Sequence, residues 1–138
     1  MRLWHKNLIP VLPNKQLLSQ WRELNAIARN IKTNGTPNHI LVNKVLDYDK
    51  LHFIVYTKLV LKELGNRNYH IRQDTFHKFL QHIEMSETDF NNTNIEFFEI
   101  YKDWHNNRYF LQCYYNLQEK YDCGGINEEE WKRINSIL

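Results

Sequence analysis

Arg22 and Glu23 are where chemistry could begin in this chain, because they set a cation and a carboxylate side by side on a segment otherwise built for burial. Leu17, Leu18, Trp21, Leu24, Ile27, Ala28 and Ile31 recur at helical spacing and define one apolar stripe, with Arg22 and Glu23 on its opposite flanks. A carboxylate at the margin of such a stripe can be catalytic or an ordinary solvated glutamate. Residue type alone leaves both readings open. The remaining polar candidates are Arg2, the Lys15-Gln16 pair at the start of the same segment, and Lys120 in Leu117-Gln118-Glu119-Lys120.

Other chemistries find no support in the spacing of residues. The seven histidines include no HxxxH or HExxH pair with a third ligand nearby, and His77 and His82, five apart, share no helix face, so no metal is expected. There is no glycine-rich phosphate loop and no GxSxG elbow, and no cofactor is implied. Cys113 and Cys123 are too few and too far apart for a disulfide framework or a CxxC site, which points to a reduced, cytoplasmic setting. No segment has the ~18 uninterrupted apolar residues of a membrane span. A net charge of +2 permits nucleic-acid binding without requiring it, because charge must cluster on one face to create a strong field.

The elements that must position these residues read as all-α, in one compact domain over residues 1–138. Residues 1–10 form an extended N-terminal arm, with Pro10 and Pro13 opposing helix and Leu3, Trp4, Leu8 and Ile9 pinning it against the first and second long helices. The first helix runs from an Asn14 cap to about Lys32, ended by Thr33-Asn34-Gly35-Thr36-Pro37. Residues 38–46 lean to helix. The second long helix, from Asp49 to a Gly65 cap, should be the most buried, and a third starts at Asp74 or Thr75 with Phe76, Phe79, Leu80 and Ile83 inward. Residues 86–94 read as a polar connection. Residues 95–121 read as helix interrupted at His105-Asn106-Asn107, and Asn127 with Glu130 forms a capping box for a short terminal helix. Most of the aromatic side chains, 14% of the chain, are expected in the core.

Taken in order, several pieces resemble one family. They are Arg2-Leu3, Trp21-Arg22-Glu23-Leu24, Tyr48-Asp49-Lys50-Leu51-His52-Phe53, Arg67-Asn68-Tyr69-His70-Ile71 and Leu117-Gln118-Glu119-Lys120. Their order and spacing are similar to those of the pyrimidine-dimer DNA glycosylases of the phage endonuclease V type, small all-α repair enzymes that also cleave at abasic sites.

The resemblance implies damaged double-stranded DNA as partner and an N-terminal α-amine as nucleophile, here that of Met1. It attacks C1′ of the damaged nucleotide to give an imine. As a class, α-amines suit this, with a reference pKa of about 7.7–8.0 against about 10.4 for lysine. Glu23 matches the family's essential carboxylate. Arg2 and Arg22 match phosphate-holding positions, and Lys120 falls where the family carries a basic residue near the site.

Departures from the pattern are specific. Arg2 is bulky where the family has a small residue whose exposure allows methionine removal, so the amine is expected to be that of Met1. The family's Gln-His pair becomes Lys15-Gln16, and a basic residue one turn beyond the glutamate becomes Ala26, for which Arg29 is a partial substitute. No aromatic C-terminal tail is recognisable after Tyr121. These departures keep two other readings open: a non-catalytic DNA-binding or interaction module on the same scaffold, and a glycosylase for another damaged base.

Overall fold

Helix α1 (Asn14–Asn34) buries Leu17, Trp21, Leu24, Ile27 and Ala28 along the expected stripe in the computed structural model, which describes residues 1–93 and 99–138. It stops where Gly35 takes φ +76° and donates its N–H to the Ile31 carbonyl, a left-handed cap that favours glycine. Asn14 lies inside the helix rather than capping it, and its side chain accepts a hydrogen bond from Arg67 instead.

Helix α2 (Lys50–Asn66) is capped by Asp49, whose Oδ1 accepts from the Leu51 N–H at 2.9 Å. Phe53, Ile54, Val55, Tyr56, Thr57, Val60 and Leu64 are buried, as its nearly continuous apolar composition requires. Gly65 is helical and not the cap. The left-handed position falls on Asn68, at φ 65°.

Helix α3 (Gln73–His82) buries Phe76, Phe79 and Leu80 against α1 and α2. Residues 86–93 are more than the polar connection expected over 86–94: Ser86 caps a short α4 (Glu87–Asn92), which puts Phe90 in the core edge-on to Phe76 and Phe79. Residues 94–98 lie outside the described residues, and with them the start of the helix expected from 95. Residues 99–106 are turns rather than helix, with Ile100, Tyr101, Trp104 and His105 buried. Helix α5 (Asn107–Asp122) then starts from an Asn106 cap, and α6 (Glu128–Asn135) from the Asn127–Glu130 capping box. Trp131 of α6 stacks on Tyr114 and Tyr121 of α5.

No strand occurs among the described residues, so the fold is all-α. The first residues are not extended throughout: Lys6–Val11 form a 3-10 turn with Pro10 inside it, the fixed φ of proline being compatible with that turn. Residues 38–46 likewise differ from a helix, as a turn followed by a 3-10 segment, Asn43–Asp47. No helix among the described residues is long and apolar enough to cross a membrane.

Candidate active site

Residues 2–6 are held in place by side chains of three helices and by His105. Gln20, fully buried on α1, accepts from the Trp4 N–H through Oε1 at 2.8 Å and donates from Nε2 to the Arg2 carbonyl at 2.9 Å. Its side-chain amide thus pairs with the arm as a neighbouring strand would. The Tyr56 hydroxyl of α2 shares its one proton between the Trp4 carbonyl at 2.6 Å and Gln20 Oε1 at 2.9 Å. Tyr109 of α5 donates to the Leu3 carbonyl. Beyond it, His105 Nδ1 accepts from the Lys6 N–H at 3.0 Å and the His105 carbonyl bonds His5 Nε2 at 2.9 Å. With Leu3 and Trp4 in the core, these bonds to the backbone of Arg2, Leu3, Trp4 and Lys6 hold the arm against the helices.

That beginning opens on a cleft of about 250 Å³ lined by Met1, Arg2, Trp4, Glu23, Leu41, Asn116 and Lys120. Three separate parts of the sequence meet there: the arm, α1, and the outer face of α5, with Leu41 contributed by the turn after α1. Gln20 Nε2 also donates to Glu23 Oε2, at 3.2 Å. Burial raises the Glu23 pKa above the ordinary 4.5, outweighing the opposing pull of the α-amino charge, the Arg2 backbone N–H, His39 and the Arg2 guanidinium. The result is a half-buried carboxyl suited to taking and giving protons. Arg2 turns its guanidinium over the Trp4 ring, 5.5 Å from the centroid, and bonds Cys113 Sγ at 3.6 Å, so α5 holds it across the cleft.

The other candidates from the sequence occupy α1 but not the lining of this cleft. Lys15, Arg22 and Arg29 are all exposed, and their spacing of seven residues puts them on one line along the helix, roughly 10 Å apart. Glu23 lies about 100° round from that line. A basic ridge therefore runs beside the cleft. Gln16 is on Glu23's side, two turns earlier, with a buried Oε1 that has no hydrogen-bond partner among the described residues.

Four residues of the site region went unrecognised in the sequence. Gln20 carries no local signal in the sequence, and its role depends on partners at positions 2, 4, 23 and 56. His39, whose charge acts on Glu23, and Leu41 sit in a turn with no periodicity to read. Asn116 could have been found: it lies one helical turn before Lys120 and shares its face.

A larger cavity, about 430 Å³, lies among α1, α2, α3 and the 3-10 segment, with Ala28, Val45, Tyr48, Phe53 and Ile83 in its wall. Its cations are engaged, Lys32 with Glu84 and Lys50 with the Ile83 carbonyl, and no candidate residue reaches it. The smaller cleft is therefore the candidate site. No group of three or more metal-ligating side chains occurs among the described residues.

Fold and cleft together define a class: a small all-α protein whose first residue is built into a site beside a half-buried carboxylate. The sequence model of the family described as pyrimidine dimer DNA glycosylase matches residues 1–77, more than half of the 138-residue chain, and the chain belongs to that family. At family level it is a DNA repair glycosylase, with DNA as substrate. The matched span holds Met1, Arg2, Lys15, Gln16, Arg22, Glu23 and Arg29, while Lys120 and Asn116 lie beyond it. No curated protein and no solved structure matched the chain.

Proposed function

We propose that the chain removes a damaged pyrimidine from double-stranded DNA and cleaves the strand at the resulting abasic site, through an imine formed by the α-amino group of Met1. The observation that carries this reading is the shared cleft: Met1, Arg2, Glu23 and Lys120 line it together, and the α-amino charge is felt by the Glu23 carboxyl.

In this mechanism the neutral amine attacks C1′ of the damaged nucleotide. The C1′–N bond breaks, its electron pair leaves with the base, and the base takes up a proton. Loss of an amine proton and opening of the sugar ring, with O4′ protonated as it departs, leave a C1′=N iminium. Removal of a proton from C2′ then expels the 3′-phosphate by β-elimination, and water hydrolyses the imine to free the amine. Each step moves a proton within reach of one carboxyl, and Glu23 is the acidic residue lining the cleft. Its negative form also offsets the positive charge developing at the sugar.

Arg2 and Lys120 hold phosphates either side of the reacting nucleotide, and Lys15, Arg22 and Arg29 hold the backbone beyond it without reading sequence. Damaged pairs stack poorly, so extrusion costs less at a lesion than in intact duplex, a physical source of selectivity.

The experiment is borohydride trapping on duplexes carrying an abasic site or a cyclobutane dimer. The expected result is a covalent adduct mapping to Met1 by peptide mass, abolished by N-terminal acetylation and slowed about 10²–10⁴-fold by Glu23→Gln. No adduct under conditions where a control lyase traps would sink the proposal. An adduct on an internal lysine would remove Met1 from the role.

A further inference from the structure

The turn that follows α1 ends in an apolar point with no partner in the fold. Ile40 is 86% exposed, the most exposed large hydrophobic side chain among the described residues, and its neighbour Leu41, 48% exposed, lines the candidate cleft with Met1 and Glu23. Scattered exposed apolar residues are ordinary, but this one is mounted rigidly. Asn38, at φ 57°, donates its N–H to Thr36 Oγ1 at 3.1 Å, and the His39 N–H is taken by Asn43 Oδ1 at 3.0 Å. The Leu41 N–H bonds the His39 ring nitrogen Nδ1 at 3.3 Å, while the Val42 and Asn43 N–H groups both bond the His39 carbonyl. Val42, fully buried, anchors the far side. A flexible loop would hide an isoleucine; this turn holds it out.

We infer that Ile40, backed by Leu41, is a wedge that enters the base stack of the damaged duplex and opens it toward the cleft. The inference rests on the reading of the cleft as a DNA repair site. Three features of the surface fit a duplex rather than another partner. The point is continuous with the cleft through Leu41. Cations frame it, with Arg2 and Lys120 in the cleft and the Lys15-Arg22-Arg29 ridge on the helix that leads into the turn. Its size suits one base step: a branched aliphatic side chain between neighbouring bases unstacks them and kinks the helix, as apolar side chains do in proteins that bend DNA. A damaged or abasic step has already lost part of its stacking, so insertion there costs least.

The test separates the wedge from the chemistry. A duplex carrying a tetrahydrofuran abasic analogue, which has no aldehyde and forms no imine, is labelled with 2-aminopurine beside the analogue, and fluorescence is read at saturating protein. Wild type should raise it several-fold, Ile40→Ala and Ile40→Asp should lower that rise to near the free-duplex level, and Ile40→Phe should keep it. No rise with wild type, or an equal rise with Ile40→Asp, overturns the wedge.

Trapping then compares aldehydic abasic DNA as duplex and as single strand. Ile40→Ala should lose at least tenfold on duplex and stay within twofold of wild type on single strands, which have no stack to open. Equal losses on both would make Ile40 a general contact and overturn the wedge. Wild type trapping neither form would instead defeat the lyase reading, with the fluorescence still deciding the wedge. Concentration-dependent dimerisation abolished by Ile40→Asp would assign the point to a second copy of the chain and likewise overturn the proposal.

Discussion

Gln20 and Glu23 share a hydrogen bond, Nε2 to Oε2 at 3.2 Å, and the same Gln20 nitrogen reaches the Arg2 carbonyl at 2.9 Å. One buried amide therefore sets the distance between the arm that carries the α-amine and the carboxyl proposed to serve it. Its oxygen is as fully used, by the Trp4 N–H and the Tyr56 hydroxyl. Gln20 is thus a positioning residue, acting on the site through what it holds.

Replacing it tests that role. Gln20→Leu keeps the volume but strands the Trp4 N–H and the Arg2 carbonyl and costs the Tyr56 hydroxyl a partner. At about 1–3 kcal/mol for each stranded group, a loss on the order of 3–5 kcal/mol is expected in urea unfolding. Gln20→Glu separates stability from positioning. It keeps an acceptor for Trp4 and Tyr56, loses the donor to both Glu23 and the Arg2 carbonyl, and sets a second carboxyl against Glu23. The Glu23 pKa should then rise further, and with it the acid limb of the trapping rate. An unmoved limb would confine Gln20 to a structural part.

Glu23 itself predicts a pH profile. Its pKa is raised above 4.5 chiefly by burial, so the ionised form is lost at a higher pH than for an exposed glutamate. The acid limb of kcat/KM should therefore lie above 4.5, and Glu23→Gln should remove it together with about 10²–10⁴-fold of the rate. An acid limb that survives in Glu23→Gln would belong to another group, and His39, a neighbour whose charge reaches this carboxyl, is the first to change.

What was legible in the sequence was what repeats or punctuates. Helix α1 showed through the spacing of Leu17, Trp21, Leu24 and Ala28 and the stop at Gly35, α2 through its apolar run after Asp49, and α6 through the Asn127–Glu130 box. Helix α4 is six residues long, too short to show a period, and was hidden. The end of α2 was misread because Gly65 is the commoner left-handed residue, whereas the backbone turns at Asn68. Within the candidate site, Glu23 stood out as a charge on a stripe. Lys120 stands out in the sequence only as a basic residue, since its approach to Met1 depends on how α5 packs against the arm. Gln20 carried no signal, because a buried amide is defined by partners distant in sequence.

The ridge of Lys15, Arg22 and Arg29 predicts a salt effect without a chemical one. If each neutralises one phosphate, changing it to glutamine should reduce the slope of log affinity against log salt by about 0.9. The three together should weaken binding to lesion and undamaged duplexes alike, with trapping at saturating DNA unchanged. A single change that alters lesion preference would show that the ridge reads more than the backbone.

Arg67 explains why one family-like stretch outside the cleft matters. Its guanidinium bonds the carbonyls of Leu12, Pro10 and Ile9 and the Asn14 side chain, and pairs with Glu63 at 3.0 Å. It ties the turn after the arm to the end of α2. Lysine cannot reproduce that fork, so Arg67→Lys should cost about 2–4 kcal/mol in unfolding free energy while leaving the response of the trapping rate to pH as it was.

Acid should loosen the arm. His105 Nδ1 accepts the Lys6 N–H and His5 Nδ1 accepts the Asn7 N–H, so both imidazoles hold the arm in their neutral form. Burial lowers both pKa values, that of His105 from 6.5 to about 2. The unfolded chain takes up a proton at such a histidine below pH 6.5 and the folded chain does not, so stability is complete above that pH and falls as pH drops toward 2. The slope from His105 alone should approach 1.4 kcal/mol per pH unit, about the cost of one proton's difference in binding. His105→Asn offers the Lys6 N–H an acceptor that does not titrate. Urea unfolding between pH 7 and 4 should show a slope shallower by that amount in the variant; equal slopes would mean that the arm is not held through a neutral His105.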